Sequence, residues 1–257
     1  MNKDTAWLEC TSQSFPFGHI GSGNENRLAL LISDTGGKLI HTPIIHPQAN
    51  EQIRKASVTL YPNGQGKAEI STIFTGDKQD IINTIFNDYT SDVFDRWLKE
   101  NLRIPSYNID KKSFQRSGND NFDKLTVELS LPNYAAIMGN RLFFSPVLIK
   151  DIFNLPEKDK ERKFPIFFSY PFCDIDTVLY NIPVGYTIEA KPEDININND
   201  YMNFKSLVSF KDSTQIIYTR YFEIKSSEMP ASAYDNFRTF LQAVIQSDNK
   251  KVVLVKK

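Results

Sequence analysis

This chain offers few residues for chemistry. Its 257 residues contain three histidines, His19, His41 and His46, and two cysteines, Cys10 and Cys173. His41 and His46 flank Thr-Pro-Ile-Ile, a spacing that could hold a metal ion, but no cluster of carboxylates or cysteines beside them completes a ligand set. They are expected as exposed linker histidines, with no metal and no cofactor bound. Cys10 and His19 are the one pairing that resembles a thiol nucleophile and its base. Such a pair needs the thiolate within hydrogen-bond reach of the imidazole and a third group to orient the ring. Their separation of nine residues permits contact across a turn without requiring it, and a buried structural Cys10 is the simpler expectation. Cys173 lies in a strand-like context, so two free thiols are expected rather than a long-range disulfide.

Carboxylates give three further candidates and the opening stretch a fourth. Asp174, Asp176 and Glu189 lie in "DIDTVLYNIPVGYTIE". Paired acids can bind calcium or exchange protons, but the spacing of an EF-hand loop is absent and solvent-facing strand positions are expected. The glycine-rich "GHIGSG" lacks the Gly-Lys-Ser/Thr ending of a phosphate-binding loop and the second glycine of a nucleophile elbow. Glu9 closes the apolar stretch Trp7-Leu8 and is followed by Cys10-Thr11.

The elements that would position these groups are mainly strands. Phenylalanine (19) and tyrosine (11) are abundant, and aromatic residues favour sheets. With 40% hydrophobic and 24% charged residues the composition is that of a globular protein. A net charge of −1, with both signs spread along the chain, gives no reason to expect nucleic acid as partner. No apolar run reaches the length of a membrane span, and "MNKDTAWLEC" has no signal-peptide core.

Residues 4–10 and "RLALLI" (27–32) read as strands, the second buried on both faces. Asp34 to Gly37 is a turn and "KLIHT" (38–42) pairs back. From residue 53 long alternating strands follow, with Asn63-Gly64 as a tight hairpin turn. Ile81, Ile82, Ile85 and Phe86 stripe one helix. Val93, Phe94, Trp97, Leu98 and Leu102 stripe a second, with Thr90 or Ser91 as N-cap. The pair carries too little positive charge for a DNA-reading helix-turn-helix, so helices capping a sheet are expected. Alternation resumes in "KLTVELSL", "YMNFKSLVSF" and "TQIIYTRYFEI". A helix starting after Pro230 and a lysine-flanked strand "VVLV", read as a protected edge, close the chain.

Against this background "Trp-Leu-Glu-Cys-Thr" followed by "Phe-Pro-Phe-Gly" resembles the end of the papain-like core of bacterial transglutaminase-like, cysteine-protease-type proteins. In those proteins the triad runs Cys, His, then an acid on a strand, and Glu9 falls on the acid position, which would accept the imidazole N–H. The stretches "IRKASVTLYPNGQGKAEISTIFTG", "IPVGYTIEAKP" and "YDNFRTFLQAVIQSDNKKVVL" resemble the C-terminal β-rich domain of unknown function found in a subgroup of them. This sequence departs from the family in having no upstream Cys and His, and in carrying Glu where Asp is usual.

The resemblance implies a mainly β fold: a large antiparallel β-sandwich (residues 48–257) with a helical hairpin and a C-terminal helix, preceded by a short β-rich remnant of the core (residues 1–47). It implies a non-catalytic accessory region of a transglutaminase-like protein, supporting the core or binding a partner. The alternative is a stand-alone binding module for glycan or protein. The implied partners are the missing transglutaminase-like core or a protein or glycan ligand, and the sequence leaves the oligomeric state open. The implied parent is an exported protein of the periplasm or cell envelope; read alone, the chain would be cytoplasmic.

Overall fold

Alternation at period two sends every second side chain of a strand to one face, and in most strands of this chain those side chains are the buried ones. The computed structural model describes residues 6–11, 18–88, 90–116, 122–152, 154–159 and 161–257. Strands β1 (Leu28–Ser33) and β2 (Gly36–His41) form a hairpin of their own. β3 (Glu51–Leu60) and β4 (Gly66–Phe74) lead into helices α1 (Gly76–Asp88) and α2 (Ser91–Leu102). β5 (Asn108–Arg116), β6 (Asp123–Leu131), β7 (Ala136–Met138) and β8 (Arg141–Phe144) come next. After a charged segment follow β9 (Ile166–Phe167), β10 (Phe172–Asn181), β11 (Tyr186–Ala190) and β12 (Ile195–Asn198). β13 (Met202–Phe210), β14 (Gln215–Ile224) and β15 (Glu228–Met229) precede α3 (Tyr234–Asp248) and β16 (Val252–Lys256).

Eight strands form one sheet in the order β12-β13-β14-β10-β3-β4-β6-β5. All neighbours are antiparallel except β3 and β10 at its centre, which run parallel. This departs from the wholly antiparallel sheet that alternation implies. A parallel pair requires a crossover, and here the crossover is the whole chain between β3 and β10.

A four-stranded sheet, β11-β16-β8-β7, covers part of the large one. Its Leu142, Phe144, Val252 and Leu254 share one apolar core with Val58, Val127, Tyr180 and Tyr218 of the large sheet and with Phe94 and Leu98 of α2. A second core joins Met202 and Phe204 of β13 and Phe222 and Ile224 of β14 to Phe240 and Val244 of α3. Phe204 and Val208 lie on the same face of β13 but in different cores. The sandwich and the α3 layer therefore sit side by side on one face of the sheet. The mainly β, sandwich-like class expected from the sequence is the class observed.

Several local expectations change. Residues 6–10 carry no strand, and residues 4 and 5 lie outside the described set. β16 is an interior strand between β11 and β8, so its flanking lysines do not guard an edge. Of Asn63 and Gly64 only the glycine takes positive φ (79°). The Tyr61 N–H bonds Gln65 O, closing a three-residue loop instead of a two-residue turn. Trp97 is half-buried against the first core. The largest change is "RLALLI", which forms half of the β1–β2 hairpin with its leucines exposed.

Candidate functional site

Where the two cores meet, the inward face of the sheet turns from apolar to charged. The register places Ser206, Arg220, Asp176 and Arg54 directly opposite one another across β13, β14, β10 and β3. All four are buried. Arg54 Nη1 donates to Asp176 Oδ1 at 2.9 Å and lies 3.7 Å from Asp151 Oδ2. Arg220 Nη1 is 3.7 Å from Asp176 Oδ2. Its Nε and Nη2 donate to the two oxygens of Asp248, at the end of α3. The sequence implies a solvent-facing Asp176; it is instead a buried ion-pair partner, because its strand is covered on this face by two layers that meet over it. Burial pushes its carboxyl up to about 6 against the pull of Arg54 and Arg220. Burial would lower both guanidinium pKa values, but Asp176 and, for Arg220, Asp248 hold them raised.

Beside this row lies a cavity of about 430 Å³, lined among others by Arg103, Asp151, Phe168, Phe172 and Asp174. A wider cleft of about 700 Å³ shares Asp151, Phe168, Phe172 and Asp174 with it and continues to Asp77 and Asp80 on α1. Asp174 is also buried, contrary to expectation. Lys78 pairs with its carboxylate and sits 4.5 Å from the centre of the Phe172 ring. A carboxyl with a raised pKa beside a cavity is a standard mark of an active site. Asp176, however, is sealed beneath the cavity (4% exposed), and both arginines near it are engaged by acids. This arrangement holds layers together; it does not present a proton donor to a substrate.

At the far end of the cleft the chain before the hairpin meets the first turn of α1. Asn50, fully buried, accepts the Asp77 N–H on Oδ1 and donates through Nδ2 to Pro171 O. Gly76 takes φ 56°, and a Cβ there would lie 2.4 Å from Ala49 O, so only glycine fits this junction. Ser22 N–H donates to Asp77 Oδ1, and His19 Nε2 lies 2.8 Å from Asp80 Oδ2. That bond raises the His19 pKa, with burial opposing it.

The other sequence candidates fall outside the cleft. Glu9 accepts from Thr11 and Asn24, and the Thr11 bonds lower its pKa, while His19 turns to Asp80. Cys10 is exposed, not a core residue, and Phe15 to Phe17 lie outside the described residues. Cys173 is buried as expected, against the Tyr221 hydroxyl. His41 and His46 are exposed. Glu189 is a surface residue paired with Arg141.

The β1–β2 hairpin is the most unusual surface. Leu30 faces Leu39 across the pair. Leu28, Leu30, Leu31, Ile32 and Leu39 are each at least half exposed. Side chains 28, 30 and 32 point to one face and 31 to the other, so both faces are apolar. Of the exposed aromatics, Phe86, Phe167 and Phe210 lie on α1, β9 and β13, Tyr61 lies in the β3–β4 loop, and Phe164 precedes β9. Tyr180, Tyr218, Phe144 and Phe204 are fully buried. No helix among the described residues is long and apolar enough to cross a membrane.

Comparison with known proteins gives limited company. No curated protein matches the chain. A crystal structure described as a "putative protease" from Parabacteroides distasonis ATCC 8503 is 11% identical, with a TM-score of 0.33, over 38% of this chain and 19% of that one. The chain thus spans about a fifth of that protein. The caspase-8/P35 complex is 10% identical, with a TM-score of 0.14, over 82% of this chain and 98% of that one. Residues 140–254 match the family model described as "Domain of Unknown Function with solved-structure structure (DUF3858)", a span that runs from the start of β8 into β16 and includes Asp176, Arg220 and Asp248.

Proposed function

We propose that this chain is a non-catalytic accessory region of a transglutaminase-like protein. Residues 48–257 act as its β-sandwich accessory domain, and residues 1–47 belong to the end of the core. The hairpin within that first segment is the docking element. The observation that carries this reading is the exposure of Leu28, Leu30, Leu31, Ile32 and Leu39 on both faces of a two-stranded ribbon. An isolated hairpin is marginally stable in water, and contiguous apolar surface marks a protein contact. Each such side chain gains about 1.5–3 kcal/mol when fully buried, which a covering domain would supply. Glycan binding is less well supported, because the aromatics that would stack on sugars are buried or scattered.

A photo-crosslinking residue at Leu30, expressed in cells of the source organism, tests this. The reading expects crosslinked peptides from a transglutaminase-like sequence. Crosslinks only to a second copy of this chain, or none at all, overturn it. The purified chain should also show no thiol-dependent hydrolase or transferase turnover, and activity lost in Cys10→Ala would overturn the non-catalytic assignment.

A further inference from the structure

The sequence gives no reason to expect a metal, because the candidate ligands are 58 and 61 residues apart along the chain. The fold brings them together. Asp77, in the first turn of α1, and Asp80, three residues on, share one helix face, and His19 comes down onto that face from the preceding segment. One donor atom from each of His19, Asp77 and Asp80 lies within 4.8 Å of the other two.

An acidic pair at a helix start has a simpler explanation, since carboxylates there satisfy backbone N–H groups and the helix dipole. Here, however, Asp77 Oδ1 accepts from Ser22 N–H, which lies outside α1, so that explanation covers only the carboxylate's charge at the helix start. It does not account for Oδ2. Asp77 is only 7% exposed, yet its Oδ2 has no hydrogen-bond partner. Leaving a buried carboxylate oxygen unsatisfied is unfavourable, and the residue turns into the His19–Asp80 cluster. We propose that His19, Asp77 and Asp80 form a binding site for a divalent transition-metal ion of the zinc or manganese class, open to the cleft that runs toward Asp174.

The donor set selects that class. One imidazole and two carboxylates suit zinc, manganese or ferrous iron, whereas calcium and magnesium take oxygen ligands. Ligand bonds of about 2.0–2.2 Å set tetrahedral donor atoms roughly 3.4 Å apart, so His19 Nε2 and Asp80 Oδ2, 2.8 Å apart without a metal, would separate to admit the ion while the Asp77 oxygen, within 4.8 Å of both, turns toward it. Three protein ligands leave positions for water or a ligand from the cleft. The neighbourhood is negative in character: after burial itself, the charges of Asp77, Asp174 and Asp80 help push the Tyr170 hydroxyl up to about 12. The positive end of α1 opposes a cation, and the two carboxylates facing it outweigh that dipole.

The test is zinc added to the chelator-treated full chain. Titration calorimetry should show one bound Zn²⁺ per chain, with Ca²⁺ failing to compete. In ¹H–¹⁵N spectra of the unmodified chain the His19 ring signals should move while those of His41 and His46 stay. Asp80→Asn and His19→Ala should each weaken binding by more than the roughly 10–100-fold that loss of an outer-shell partner causes. Circular dichroism establishes that each variant folds. The variant Cys10→Ser/His41→Ala/His46→Ala should bind as the parent does. The proposal is overturned if no zinc is taken up, if the His19 signals do not respond, or if binding disappears in that triple variant, which would mark an adventitious ion only.

Discussion

Arg220 grips Asp248 with two nitrogens, Nε at 3.2 Å from Oδ1 and Nη2 at 3.1 Å from Oδ2. Both side chains are about 1% exposed. Asp248 is the last residue of α3, where a negative charge is unfavourable next to the helix dipole. The guanidinium offsets that and fixes the end of the helix to the middle of β14. The same arginine approaches Asp176, so one side chain binds the α3 layer to the sheet at the seam between the two cores.

Removing one partner should therefore be worse than removing both. Asp248→Ala leaves the Arg220 charge under-compensated and should destabilise the fold by about 3 kcal/mol. Arg220→Met with Asp248→Leu should recover much of that loss, because apolar side chains then fill the seam. Urea unfolding of the two variants checks it. An Asp248→Ala value within about 0.5 kcal/mol of the parent, the range of ordinary surface substitutions, would contradict the assigned role.

Asp176 gives a pH signature. Its folded pKa, about 6, lies above the 3.8 of a free aspartate, so between these values the folded chain binds more protons than the unfolded one. The stability it contributes is full below about pH 4 and is lost as pH rises through about 6. Other acids titrate in the same range, so the difference between parent and Asp176→Asn is the quantity to measure. The parent should lose stability relative to the variant from pH 4 to 6 and run parallel to it above 7. Parallel curves throughout would show that the Asp176 carboxyl is not raised.

The strands were legible because alternation survives in the sequence: Leu125, Val127, Leu129 and Leu131 all prove buried. The α3 stripe was equally plain, from Phe237 to Val244. The seam was not. Asp174 and Asp176 occupy the same alternating face as Val178 and Tyr180, but a charge there reads as a solvent position unless Arg54 and Arg220 are known to stand opposite. Cross-strand register supplied that, and the parallel β3–β10 pairing leaves no local turn signal. His19 escaped for the same reason, its partners lying on a helix far along the chain. "RLALLI" misled in the other direction, since an apolar run states that a strand avoids water without saying what covers it.

The hairpin leucines and the core aromatics should respond oppositely to substitution. Leu30→Ser with Ile32→Ser removes side chains that are 61% and 80% exposed, so unfolding free energy should shift by no more than about 0.5 kcal/mol per site. Phe204→Ala, at a fully buried position between β13 and α3, should lose about 3–5 kcal/mol. A large loss in the hairpin variant would mean that the ribbon is packed in solution against this chain or a second copy of it, which sedimentation would distinguish.

The two thiols should separate cleanly in reactivity. Cys173 is fully buried at the start of β10, its sulfur 3.3 Å from the Tyr221 hydroxyl, and burial pushes its thiol up to about 11. At pH 8 roughly one Cys173 in a thousand is then thiolate, and the sheet blocks the reagent from reaching it. Cys10 is exposed. A disulfide reagent should therefore titrate one thiol in the folded chain, two in denaturant and none in folded Cys10→Ser. Two thiols reacting at similar rates in the folded chain would mean that the β10 end of the sheet opens easily, and that the segment carrying Asn50, which accepts the Cys173 N–H on its backbone carbonyl, does not hold the α1 junction closed.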